Sequence, residues 1–215
     1  MQGKLSVVAT PIGNLEDITL RALRILKEAD FVACEDTRNT RKLLSHFDIH
    51  TPVVTDHKAL GLLAQGRHVA LVSDAGTPGV SDPGLELVSK AREAGHTVEV
   101  IPGPSALAAA VSVAGLKVPS FTFYGFLPQK KGRETLFKNI AASERASVFY
   151  ESPHRILKCL ESLDKAMPSR RIGLYRELTK IYEEAIIGTP AEVLAVLQGD
   201  PQKQRGEFVV IVESE

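Results

Sequence analysis

Short strand patterns alternate with helical patterns through the first half of the chain. Residues 5–9 and 31–34 are apolar runs typical of buried strands, whereas 20–27 and 37–46 carry apolar residues at helical spacing. Further strands are predicted at 52–54, 69–72 and 97–101. A helix between two strands lets the second run parallel to the first through a right-handed crossover. The alternation therefore predicts a mostly parallel sheet.

The pattern changes after residue 117. Strand patterns at 172–176 and 181–187 lie too close together for a crossover helix, so they predict an antiparallel hairpin. Other strands are predicted at 121–124, 147–150 and 208–212. We therefore predict an α/β protein of two domains. Residues 1–117 form a mostly parallel sheet, and residues 118–215 form a mixed sheet.

Composition excludes several classes of protein. Lys plus Arg and Asp plus Glu both number 26, so any nucleic acid would have to bind a local patch rather than a uniformly basic protein. Cys34 and Cys159 lack zinc-site or disulfide spacing, which predicts no metal and a reducing environment. Without a signal-peptide pattern or a sufficiently long apolar run, we expect a cytoplasmic protein with no membrane segment.

Loops rich in glycine and proline follow three of the predicted strands, at 9–14, 73–84 and 101–105. Each alone could be an ordinary turn. Together, at equivalent strand ends of a parallel sheet, they predict one ligand site. None has the Gly-Lys-Ser/Thr or GxGxxG pattern of a phosphate loop, and prolines remove amide donors. The site therefore suits a ligand held by mixed carbonyl, amide and hydroxyl contacts.

Charged residues cluster after other strands, and each cluster has an ordinary structural interpretation. Segment 34–42 could be a helix cap or a polar wall of the site. The basic loop 129–133 could be solvated or could hold phosphates. Segment 150–155 places a carboxylate, a hydroxyl, an imidazole and a guanidinium together, although a histidine at a helix start is usually structural. Segment 177–180 could simply be the turn of the hairpin.

Seven segments occur in an order that identifies a family: 8–19, 34–38, 71–78 with 81–84, 102–106, 125–128, 149–155 and 176–180. The series closely resembles the bacterial ribosomal RNA methyltransferases of the tetrapyrrole methylase (class III methyltransferase) superfamily. It spans almost the whole chain. The resemblance implies two domains with a cofactor cleft between them, S-adenosylmethionine as methyl donor, and a homodimer. It also implies transfer to the ribose 2′-hydroxyl of a decoding-centre cytidine in 16S ribosomal RNA of the small subunit.

Residues of the methyl-donor site follow from the same resemblance. They are Pro11, Gly13, Asp74, Ala75, Gly76, Thr77, Pro78, Ser81, Asp82, Ser105, Ala106, Phe126, Tyr150, Glu151, Gly188 and Thr189.

Methyl transfer to a hydroxyl depends on positioning and on a group that takes the proton or stabilises the forming alkoxide; it requires no metal. The acid–base candidates are Glu35, Asp36, Glu151, His154 and Lys180, and the sequence does not choose among them. The cations expected to hold the RNA backbone are Arg38, Arg41, Lys130, Lys131, Arg133 and Arg155.

Two departures from the family pattern bear on substrate binding. The stretch after His57 is shorter by roughly two helical turns, and many relatives carry a small helical extension beyond the last strand. Two alternatives stay open at this point. One is a methyltransferase of the same fold that acts on a tetrapyrrole or a protein, and the other is a non-catalytic RNA- or ribosome-binding module.

Overall fold

The predicted strands of the first half pair in parallel in the computed structural model, which describes residues 1–81 and 84–215. Within these residues the strands are β1 (Lys4–Val8), β2 (Phe31–Cys34), β3 (Val53–Thr55), β4 (His68–Leu71) and β5 (Thr97–Ile101). Their order across the sheet is β3-β2-β4-β1-β5, and each neighbouring pair is parallel. The predicted parallel sheet is confirmed.

Helices cover both faces of this sheet. They are α1 (Leu20–Glu28), α2 (Thr37–His46), α3 (Ala59–Ala64) and α4 (Leu85–Glu93). Leu26 of α1 and Leu44 of α2 pack in one core cluster with Val8, whereas α3 and α4 pack in another cluster that contains Leu5 and Leu71. The chain therefore leaves the neighbouring strands β1 and β4 toward opposite faces, which opens a crevice at their carboxyl ends.

Local capping signals explain where two of these helices begin. Thr19 accepts a hydrogen bond from the Ala22 amide at 3.0 Å and caps α1, as its position before the apolar repeat predicts. Asp36 accepts from the Arg38 amide at 2.8 Å and caps α2. Each cap satisfies an amide that has no partner within the helix. The carboxyl end of β2 is thereby joined directly to a helix start.

The second half forms a mixed sheet. Its strands in the described residues are β6 (Phe121–Phe126), β7 (Ala146–Glu151), β8 (Ile172–Arg176), β9 (Glu184–Gly188) and β10 (Phe208–Val212). The order is β6-β7-β10-β8-β9, with β6 and β7 parallel and the other neighbours antiparallel. The predicted hairpin of β8 and β9 is confirmed, although β9 starts three residues later than the sequence suggested. Since β7 and β8 both oppose β10, their carboxyl ends share one edge of the sheet.

Apolar side chains divide the chain into two compact units, Met1–Ser105 and Ala106–Glu215. In the second unit α6 (Arg133–Ala141), α7 (Ile156–Ala166) and α8 (Pro190–Gly199) cover one face of the sheet. Helix α5 (Ala106–Ser112) packs against the strands through Ala110, close to Tyr175 and Ile211. The sequence placed α5 before the predicted boundary at 117/118, but its contacts belong to the second unit. No helix in the described parts of the chain is long and apolar enough to cross a membrane.

Tyr175 ties the residues after α5 to the second sheet. Its side chain is fully buried, and its hydroxyl donates to the Ala114 carbonyl. Burial raises the pKa of Tyr175 to about 12. Removing the hydroxyl leaves a buried carbonyl without its donor.

We therefore expect Tyr175→Phe to lower the free energy of unfolding by about 1–3 kcal/mol, measured by urea denaturation. Tyr182→Phe is the matched control, because that side chain is 70 % exposed, and it should change stability by less than about 0.5 kcal/mol. Equal stability of the two variants would contradict this assignment.

Candidate functional site

Two backbone hydrogen bonds join the loops that follow β1 and β4. The Thr10 amide donates to the Gly76 carbonyl at 2.8 Å, and the Gly76 amide donates to the Thr10 carbonyl at 3.0 Å. The Thr10 hydroxyl also donates to the Ser73 carbonyl at 3.2 Å. These bonds close the crevice between the two strands at its base and fix both loops.

The loop after β5 is bound to the same pair. The Thr77 hydroxyl donates to the Pro104 carbonyl at 3.1 Å. A Cβ atom at Gly103 would lie only 3.0 Å from Cβ of Ala9, so glycine allows these two backbones to approach. Gly76 has φ of +80°, a conformation that favours glycine. The three glycine- and proline-rich loops therefore meet at one edge of the first sheet.

Three carboxylates line a pocket beside these loops. Glu35 follows β2, Asp56 follows β3 and Asp74 follows β4, and Ser73 and Gly84 also line the pocket. The Asn39 side-chain amide donates to an oxygen of Asp74 at 3.3 Å. Sequence reasoning missed Asp56, although its position directly after a predicted strand was the available signal. The pocket offers three carboxylates and the Ser73 hydroxyl group at the carboxyl edge of the sheet.

The Asp36 carboxylate, by contrast, is engaged in hydrogen bonds within its own segment. Its carboxylate accepts from the Arg38 guanidinium at 2.8 and 3.1 Å, besides capping α2. Hydrogen bonds from the Arg38 side chain and backbone lower the pKa of Asp36 to about 2. Arg38 is paired with Asp36, but 83% of its side-chain surface stays exposed, and Arg41 and Glu35 are exposed as well.

Other residues predicted for the donor site are distributed as follows. The buried ones are Pro11, Gly76 and Pro78, and the half-buried ones are Thr77 and Ser105. The exposed ones are Gly13, Asp74, Ala75 and Ser81. Asp82 lies outside the described residues. Ser81 has φ of +64°, an uncommon conformation for a residue other than glycine.

A buried ion cluster dominates the second unit. The Glu151 carboxylate has no exposed side-chain surface and pairs with both Arg133 and Arg155 at 2.8 Å. It also accepts from the Ser152 amide at 2.8 Å. The guanidiniums donate in turn to two carbonyls of the loop after β6: Arg133 to Pro128 at 3.1 Å and Arg155 to Leu127 at 3.0 Å. One carboxylate thus holds the loops after β6 and β7 together.

Exposed side chains stand on the loops that this cluster fixes. Lys130, Lys131 and His154 are exposed, and Phe126 is 54 % exposed. The Phe126 ring meets Tyr150 edge to face, with ring centroids 5.4 Å apart. The cluster therefore presents cations, an imidazole and an aromatic face at the carboxyl edge of the second sheet.

Lys180 lies in the turn between β8 and β9. Its ammonium contacts Glu177 at 3.0 Å and Glu207 at 2.8 Å. Burial alone would lower the pKa of Lys180, but hydrogen bonds to Glu207 and Glu177 outweigh it and raise this pKa. Glu177 and Thr179 both have positive φ, at 51° and 65°. This turn holds a protonated lysine rather than a free amine.

Gly188 and Thr189 connect β9 to α8. Thr189 and Glu192 form a capping box, in which the Thr189 amide donates to Glu192 at 2.7 Å. A Cβ atom at Gly188 would lie 2.9 Å from that carboxylate. Ala106, at the start of α5, belongs to this second unit as well.

The folds of known proteins agree with this architecture. The sequence profile of the tetrapyrrole (corrin/porphyrin) methylases matches residues 4–194. A cobalt precorrin-4 methyltransferase has a similar structure, with a TM-score of 0.72 at 16% identity over 98% of this chain and 94% of that one. Uroporphyrin III C-methyltransferase from Thermus thermophilus is also similar, with a TM-score of 0.69 at 21% identity over 98% of this chain and 97% of that one. The fold and the profile together place the chain in the tetrapyrrole methylase family.

Relatives at higher identity show to which group of the tetrapyrrole methylases the chain belongs. Three proteins named ribosomal RNA small subunit methyltransferase I are similar to this chain. That of Halalkalibacterium halodurans is 47% identical over 99% of this chain and 76% of its own length. That of Escherichia coli O157:H7 is 48% identical over 99% of this chain and 78% of its own length. That of Thermotoga maritima is 42% identical over 98% of this chain and 98% of its own length. The chain belongs to the ribosomal RNA small subunit methyltransferase I family.

The ion cluster leads to a stability prediction. Glu151→Ala would leave two guanidiniums without their buried partner, so we expect the free energy of unfolding to fall by about 3–5 kcal/mol, measured by urea denaturation. Glu161→Ala is the matched control, because Glu161 is exposed on α7, and it should cost less than about 0.5 kcal/mol. A Glu151→Ala protein as stable as the control would contradict the role of the cluster.

Proposed function

We propose that this methyltransferase transfers a methyl group from S-adenosylmethionine to the ribose 2′-hydroxyl of a decoding-centre cytidine in 16S ribosomal RNA. The observation that carries the proposal is the strand-end site of the first unit, formed by loops whose motifs match the family. Support for the RNA substrate comes from relatives named for the small ribosomal subunit, at 42–48% identity over nearly the whole chain. We also propose a cytoplasmic homodimer.

The chemistry of the first-unit site fits this donor. S-adenosylmethionine carries positive charge on its sulfonium and ammonium groups, which the carboxylates of Glu35, Asp56 and Asp74 complement. Its hydroxyl and amine groups need carbonyl and carboxylate acceptors, which the loops provide. S-adenosylmethionine has no phosphate group, so a site without a phosphate-loop motif can bind it. When bound, the donor supplies an electrophilic methyl group.

The second unit provides further proposed contacts for both substrates. Phe126 and Tyr150 offer aromatic faces for a base, and Gly188 and Thr189 remain proposed donor contacts. For the RNA backbone we propose mainly Lys130, Lys131 and Arg41, because these side chains are exposed. Arg38 is paired with Asp36 but is also exposed, so it remains a proposed RNA contact. Arg133 and Arg155 are engaged in the Glu151 cluster, so they act on RNA by holding the basic loop in place.

A methyl-transfer assay tests the proposed reaction. Small ribosomal subunits from cells that lack this methylation are incubated with tritiated S-adenosylmethionine, and the labelled nucleotide is mapped. We expect label on the ribose of one cytidine. Label on a base, or no label on RNA, would contradict the proposal. Label on a ribosomal protein would favour a protein methyltransferase of the same fold.

The basic loop leads to a prediction about RNA affinity. Lys130→Ala/Lys131→Ala should weaken binding to small-subunit RNA and lower the slope of log affinity against log salt by about 0.7 for each phosphate that is no longer neutralised. Filter binding at several salt concentrations measures both quantities. The matched control is Lys138→Ala/Lys158→Ala, which removes two lysines from α6 and α7. Identical affinities and slopes for the two double variants would refute the assignment of this loop.

A further inference from the structure

A register shift in β6 determines on which face of the second sheet the Phe126 ring lies. Phe123 is paired with Val148 and Phe126 with Tyr150, so three steps along β6 are matched by two steps along β7. Gly125, within this interval, has φ of +61°. One extra residue in one of two paired strands is a β-bulge, and a bulge redirects the side chains that follow it. The regular alternation of faces along β6 is therefore interrupted before Phe126.

The bulge moves Phe126 away from the core that α6, α7 and α8 cover. Tyr124 packs against that core, and regular alternation would direct Phe126, two residues later, to the same face. Instead the Phe126 ring meets Tyr150 edge to face, and Tyr150 in turn meets Phe123 with ring centroids 5.1 Å apart. Phe123 and Tyr150 pack in the cluster on the opposite face. Phe126 is thus the outer member of a row of three aromatic rings, and 54% of its surface is exposed.

The loop that continues from Phe126 is held in place and carries cations. Its carbonyl groups at 127–128 accept hydrogen bonds from the two arginines of the Glu151 cluster, at 3.0 and 3.1 Å. Lys130 and Lys131 follow, and both are exposed. Within residues 1–81 and 84–215 neither lysine forms an ion pair. An exposed ring and two cations available to a ligand therefore stand on one anchored segment.

An exposed aromatic ring beside cations matches the chemistry of single-stranded nucleic acid. Unpaired bases stack on aromatic side chains, while cations neutralise the neighbouring phosphates. A base inside a duplex is stacked between its own neighbours, so it is not open to a protein ring. S-adenosylmethionine also contains a base, but it has no phosphate and its net charge is positive, as is that of the two lysines. The charge beside Phe126 therefore favours RNA over the methyl donor.

We propose that Phe126 stacks on an unpaired base of the RNA substrate while Lys130 and Lys131 contact the adjoining phosphates, an inference that rests on the proposed function. The ring then selects an open strand over a duplex. Phe126 is thereby assigned to the RNA rather than to the donor, the role that the family resemblance implied.

A fluorescent variant tests which ligand meets the ring. The chain contains no tryptophan, so Phe126→Trp provides a single fluorophore at the proposed contact. A single-stranded RNA oligonucleotide with the decoding-centre sequence should quench its emission, whereas S-adenosylmethionine alone should not. The same oligonucleotide annealed to its complement should need at least about fivefold higher concentration for half-maximal quenching, a difference of ~1 kcal/mol. Phe121→Trp is the matched control, because Phe121 starts the same strand and is 38% exposed, and its emission should not respond to RNA.

RNA affinity is tested with Phe126→Leu, which removes the ring and keeps an apolar side chain. Filter binding should show an affinity for small-subunit RNA at least about fivefold lower, or ~1 kcal/mol. The slope of log affinity against log salt should stay unchanged, because stacking releases no counterions. A disordered basic loop would lower this slope as well, as removal of Lys130 and Lys131 should. Phe126→Trp and the control Phe121→Leu should both bind RNA like the unmodified protein.

Several results would overturn the proposal. They are quenching of Phe126→Trp by S-adenosylmethionine, unchanged emission with RNA, equal quenching by the single strand and the duplex, and a Phe126→Leu protein that binds RNA like Phe121→Leu. A lowered salt slope in Phe126→Leu would assign the residue a structural role instead. If the unmodified protein labels no ribose in the methyl-transfer assay, the proposed function fails. Ribose labelling together with any of the contrary results would contradict the stacking role alone.

Discussion

The pair of backbone hydrogen bonds between Thr10 and Gly76 is the constraint on which the site of the first unit depends. β1 and β4 are neighbours, but the chain leaves them toward opposite faces of the sheet, so their loops would otherwise diverge. The bridge joins the loops through main-chain atoms alone. It leaves the side chains of Asp74 and its neighbours available to a ligand. The positive φ of Gly76 explains why glycine suits this position.

In the second unit, side chains rather than main-chain atoms join the loops at the carboxyl edge of the sheet. Loops after β6 and β7 are joined by the buried Glu151 carboxylate and two arginines, which also bind carbonyl groups of Leu127 and Pro128. Such a cluster gains little net stability over apolar packing, yet losing one member is costly because the others are left buried and unpaired. Its benefit lies in fixing the geometry of the exposed residues that these loops carry.

Periodicity and loop composition predicted much of the architecture. The helix at 37–46, the Thr19 cap and the β8–β9 hairpin follow from local patterns, because each depends on residues close in sequence. The membership of α5 could not be predicted in this way. Its small apolar residues fit either unit, and only contacts with distant strands such as the one carrying Tyr175 assign it.

The candidate site likewise contains features that the sequence predicts and features that it does not predict. Strand-end loops could be located from glycine and proline, but the burial of a charged residue cannot be read from its neighbours. Arg133 and Arg155 stand in basic or polar segments, which predicts RNA contacts, and in the structure both guanidiniums pair with the buried Glu151 carboxylate. Tertiary pairing, rather than local sequence, decides which charges are free to act.

The most direct test of this account is calorimetric titration of the chain and of Asp74→Ala with S-adenosylmethionine, with Asp48→Ala as control because that side chain is 92% exposed. The account predicts saturable binding by the unmodified chain and by Asp48→Ala, and an affinity at least about tenfold lower for Asp74→Ala, or ~1.4 kcal/mol. Absence of binding to the unmodified chain, or equal affinity of all three proteins, would contradict it.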